Sequence, residues 1–68
     1  MEAVSITKGK IILSFSPEEV SFLCNAIEVS LKEVPHREYQ TRTGETPERA
    51  RELLGQLRKA LDEAQSAP

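Results

Sequence analysis

Between Ser16 and Val34 the apolar positions recur at helical spacing. Laid out at about 100° per residue, Val20, Leu23, Cys24, Ile27, Leu31 and Val34 form one apolar stripe, and Phe22, Ala26 and Val29 form a second stripe on nearly the opposite side. Ser16-Pro17-Glu18-Glu19 marks the start: a hydroxyl at the N-cap, a proline where its missing N–H costs nothing, and a glutamate at the third helical position. The pattern predicts a helix over about residues 17–34, with two apolar faces that call for two partners. Upstream the spacing changes to alternation. Val4 and Ile6 point one way, and after Thr7-Lys8-Gly9 so do Ile11, Leu13 and Phe15, which predicts a β-hairpin over about residues 3–15 with one apolar face. Gly9 is placed to supply the positive φ of a type I turn with a bulge. Ile12 lies on the other face, among Ser5, Thr7, Lys10 and Ser14.

Downstream, Thr46-Pro47-Glu48 repeats the helix-start signal. Ala50, Leu53, Leu54, Leu57, Leu61 and Ala64 then make a single stripe, predicting a second helix over about residues 47–65. Arg58/Asp62 and Lys59/Glu63 are spaced for solvated ion pairs along its outer face. Gly55 within it costs roughly 1 kcal/mol relative to alanine, and close approach of a neighbouring helix is the expected compensation. The connection, residues 35–46, shows no amphipathic pattern; a short helical turn ending at Gly44 and an ordered loop are both compatible with it. Tyr39 is the only tyrosine and is expected to anchor this connection to the core with its hydroxyl left in water. The fold expected is α+β in the order β-β-α-α: one small domain over residues 1–68, a hairpin followed by two antiparallel helices, and dimeric.

Dimerisation is expected because a 68-residue chain has a marginal core of its own and usually recruits a further stabilising device. With one cysteine, Cys24, and one histidine, His36, neither a disulfide framework nor a zinc site is available from the composition, which leaves oligomerisation. A lone thiol on a core stripe matches a reducing compartment, and the expected location is cytoplasmic. The formal charge of −2 gives no general pull toward nucleic acid or anionic membrane. Apolar runs are far shorter than the roughly 20 residues needed to cross a bilayer. Glu2 and the lack of a sustained apolar segment argue against a signal peptide.

The Ser-Pro-Glu-Glu helix start at residues 16–19, the Thr41-Arg42-Thr43-Gly44 turn and the leucine-rich helix after it resemble short, uncharacterised bacterial proteins over about Leu13 to Leu61. That resemblance implies no activity and assigns no functional residue.

Catalytic chemistry finds little footing. A histidine base needs an orienting carboxylate and a nucleophile close by, and Glu38, two residues from His36, is the only nearby hint. Cys24 is placed as a buried, inert thiol. Glu18 and Glu19 are accounted for by the favourable electrostatics of a helix N-terminus. Gly44 lacks the further glycines and the lysine of a phosphate loop. The expected protein is therefore a small non-enzymatic interaction or regulatory module without cofactor or metal. It acts as a homodimer on an unidentified protein partner, through an interface made by Phe22, Ala26 and Val29 with Ile12. The competing arrangement has the hairpin take one face of the first helix and the second helix the other, all within one chain. The alternative function is a helix-turn-helix-like regulator, with Arg49 and Arg51 early on the recognition helix and Arg37 and Arg42 on phosphates, or the same arginines holding a small anion. Negative net charge and the interleaved Glu48 and Glu52 disfavour nucleic acid.

Overall fold

The computed structural model describes residues Met1–Pro68. Strands β1 (Glu2–Thr7) and β2 (Lys10–Ser14) are followed by helix α1 (Pro17–Glu33), a 3-10 turn at His36–Glu38, helix α2 (Tyr39–Thr43) and helix α3 (Pro47–Ser66). The class is α+β, with three helices where the sequence pattern indicated two. The additional helix lies in the connection and spans five residues. That is too short to show a stripe, so periodicity is blind to it.

Local chemistry explains where each helix begins and ends. At the α1 start Ser16 Oγ accepts from the Glu19 N–H at 3.2 Å and Glu19 Oε1 accepts from the Ser16 N–H at 2.9 Å, a reciprocal capping box. Thr46 Oγ1 accepts from the Arg49 N–H at 3.2 Å at the start of α3. Val34 is extended, the conformation favoured before a proline, and α1 stops there. Gly44 ends α2 in the left-handed region at φ 86°, its N–H donating to the Gln40 carbonyl at 2.8 Å.

The core is the seam between α1 and α3. Cys24 from α1, Ala50 and Leu54 from α3, and Tyr39 from α2 are buried, together with Pro47. Val20, Leu23, Ile27 and Leu31 of the main α1 stripe and Leu53, Leu57 and Leu61 of α3 are half-buried around them. Tyr39 anchors the connection as expected, but its hydroxyl is not left in water: it lies 2.6 Å from Ser30 Oγ. The Ser30 hydroxyl donates to the Ile27 carbonyl at 2.7 Å, so the tyrosine is the donor in the Tyr39–Ser30 bond. Arg58 pairs with Glu28 across the two helices instead of with Asp62 on its own helix.

The hairpin stands clear of this seam. Its register sets Thr7 opposite Lys10, Ile6 opposite Ile11, Ser5 opposite Ile12, Ala3 opposite Leu13 and Glu2 opposite Ser14. Gly9 takes φ 97° in the turn. The ladder's irregularity falls at Val4, between Ala3 and Ser5, where one extra residue is accommodated. Every strand residue is exposed, so neither strand is buried against α1, and α3 is the element packed along it. The molecule is consequently flat, 41 × 31 × 15 Å, with a radius of gyration of 13.6 Å where a compact chain of this length has about 11 Å. Its accessible surface is 5520 Å², against about 4,300 Å² for a monomer of this mass.

The expected close approach at Gly55 is absent. A Cβ built there meets nothing within 4 Å, and the backbone is ordinary helix. With open space and no positive φ, the glycine costs conformational entropy without return in this chain. Gly55→Ala should raise the unfolding free energy by up to about 1 kcal/mol in denaturant titration; a loss of stability would reveal a packed neighbour at this position.

Candidate interaction surface

The second α1 stripe is uncovered. Phe22 is 69% exposed and Val29 58%, and Ala26 between them is exposed too. The arrangement in which hairpin and α3 bury both faces of α1 within one chain therefore does not hold. On the hairpin, Ile6 and Ile11 are cross-strand neighbours on one face and are 70% and 65% exposed. Ile12 lies on the opposite face.

Away from the turn, where the hairpin begins and ends beside α1, an open groove of about 370 Å³ is lined by Met1, Phe15, Glu18, Glu19, Phe22 and Leu23. Phe22 belongs both to the groove and to the second stripe, which makes it the joint between hairpin and helix. Glu19 is a helical neighbour of Phe22 by its three-residue spacing, but Met1 and Phe15 were not legible beside it. Met1 and Glu19 are brought together only by the path of the hairpin, and no spacing rule reports such a meeting.

One carboxylate at this groove is electrostatically distinct. The Met1 ammonium donates to Glu19 Oε1 at 2.7 Å and Oε2 at 2.5 Å. That contact, followed by the hydrogen bond from the Ser16 N–H, holds the Glu19 carboxyl below the usual glutamate range. The groove thus combines apolar walls with a carboxylate that stays charged to lower pH than an ordinary glutamate.

The arginines do not form one cluster of free charge. Arg42 is bound to Glu38 at 3.1 Å, and Arg49 to Glu52 at 2.9 Å and Glu45 at 3.8 Å. Arg37 and Arg51 are exposed and make no ion pair. His36 Nε2 is 3.6 Å from Glu48, so the nearest carboxylate to the histidine comes from the α3 start, while Glu38 is occupied by Arg42. Cys24 is buried and free. No helix is long and apolar enough to cross a membrane. Compared with protein-family models, curated proteins and solved structures, the chain matches none of them.

A depressed folded-state pKa means that the Glu19 contribution to stability is fully present above the ordinary glutamate range and is lost as the pH falls through the folded value. An NMR titration of the side-chain carboxyls should place the Glu19 midpoint below the ordinary glutamate range, with the Met1 contact disappearing over the same interval. A Glu19 midpoint within or above that range would contradict the ammonium contact.

Proposed function

We propose that the protein is a small non-enzymatic interaction module that works as a homodimer and presents the assembled surface to a protein partner. The observation that carries this reading is the surface excess of about 1,200 Å² over a monomer of this mass, in a chain whose exposed large apolar side chains lie on the hairpin with its flanking residues and on the second α1 stripe. Stable protein interfaces take about 800 Å² from each partner, so the excess is of the size that association removes. Phe22, Ala26, Val29 and Ile12 are the interface residues in this reading. Phe22 is the largest of the α1 residues among them and also lines the groove.

Burying a phenylalanine contributes about 1.5 to 3 kcal/mol, counted twice across a two-fold axis. Phe22→Asp should turn a dimeric parent into a folded monomer in sedimentation, with far-UV circular dichroism retained because Phe22 takes no part in the α1–α3 seam. A parent that stays monomeric at high concentration would refute the homodimer.

One feature supports a nucleic-acid reading in second place: α2, the turn at Gly44 and α3 follow in helix-turn-helix order, with Arg37 and Arg51 unpaired nearby. Against it, α2 is five residues long and Arg42 and Arg49 are already engaged by carboxylates. If Arg37, Arg42, Arg49 and Arg51 bind duplex DNA, affinity should fall with salt at a log–log slope of roughly −0.9 per phosphate contact. Absence of measurable binding at low salt eliminates this reading.

A further inference from the structure

The two edges of the hairpin are unequal. In a two-stranded sheet each strand keeps one edge free. The β1 edge is interrupted at Val4 by the shift between Ala3 and Ser5, and a bulge twists an edge away from further pairing. The β2 edge is regular from Lys10 to Ser14, contains no proline and carries one charge, Lys10, at its end. Between the ends stand three consecutive branched apolar residues, Ile11, Ile12 and Leu13. Folded proteins pair, cover or charge a free edge of this kind.

We infer that two copies join β2 to β2 in antiparallel register across a two-fold axis at Ile12, making one four-stranded sheet. This deepens the homodimer reading and rests on it. A two-fold axis perpendicular to the sheet keeps each face on the same side in both copies, so directly opposed residues must share a face. With the axis at Ile12, Ile11 stands opposite Leu13 of the partner subunit and Lys10 opposite Ser14 of the partner subunit. All five strand positions pair, and no like charges face each other. An axis at Ile11 or Leu13 also satisfies the face rule but leaves two strand positions opposed to turn or linker residues. The axis at Ile12 further accounts for that residue itself. Ile12 is 46% exposed on a face otherwise made by Glu2, Ser5, Thr7, Lys10 and Ser14, and at the axis its apolar side chain packs against its own copy.

The register is read by disulfide trapping in the full chain. Directly opposed residues of antiparallel strands have Cα atoms about 4.5 to 5.5 Å apart, within the range of about 4.4 to 6.8 Å that a disulfide spans. Ile12→Cys should form a covalent dimer rapidly under mild oxidation, while buried Cys24 stays out of the reaction. Ser5→Cys, on the same face but one strand further from the axis, should not. If the Ile12→Cys protein sediments as a dimer yet fails to link, or if Ser5→Cys links equally fast, the β2 pairing is overturned and the homodimer stands. A parent that is monomeric at high concentration overturns both. In a second variant, Ile12→Lys brings two ammonium groups to the axis and should weaken self-association about tenfold or more with the helices intact; unchanged association overturns the pairing.

Discussion

The packing of α3 along a single face of α1 is the contact on which everything else in this molecule depends. It holds Cys24 against Ala50 and Leu54 in the only part of the chain shielded from water. Ala50 and Leu54, four apart on α3, are the residues of the α3 stripe that this packing buries. Tyr39 closes the seam from the connection, with its hydroxyl tied to Ser30 so that a buried polar atom is not stranded. Five of 68 residues are buried, so little remains to absorb the loss of any one of them. A chain this short removes only about 60% of its unfolded surface on folding, and a flat one removes less. The α1–α3 seam therefore has no reserve.

That scarcity connects the fold to the proposed function. One face of α1 is spent on α3, and the hairpin contributes nothing to the seam, so the apolar residues on the hairpin and on the far side of α1 have no partner in their own chain. In the proposed homodimer, the cost of exposing Phe22, Val29, Ile6 and Ile11 is the driving force for association, and the geometry channels it. The capping box orients the start of α1, and the Met1–Glu19 contact tethers the beginning of β1 to it. The hairpin is thus held at a defined place relative to Phe22. In this reading the interface is pre-arranged before a second molecule arrives, which lowers the ordering cost of binding.

Features of the fold that depend on neighbours in sequence were legible in advance. Ser16, Pro17 and Glu19 announced α1, Thr46 and Pro47 announced α3, and the two stripes of α1 were separable by angle alone, because each rests on periodicity or on a bond across three residues. The same angular argument set Phe22, Ala26 and Val29 apart from the main stripe and left open whether the hairpin covers them. What escaped were features set by tertiary approach. The Tyr39–Ser30 bond spans nine positions, Arg58 chose Glu28 over its helical neighbour Asp62, and the groove at Phe22 joins both ends of the hairpin to α1. Helix α2 is the helical one of the two arrangements left open for the connection; at five residues it has too few positions to show a period, and Tyr39 burial and the Gly44 cap, not periodicity, decide for it.

The location of Cys24 ties chemistry to folding in one further respect. Its sulfur lies within the α1–α3 seam, so a reagent reaches it only when that seam opens, and the seam is the whole core. The rate at which the thiol is consumed then equals its intrinsic reactivity multiplied by the fraction of molecules open at that moment. Any event that tightens the seam, including assembly with a second copy, protects the thiol in proportion. The single sulfur atom thereby serves as a gauge of how firmly the two long helices are held together.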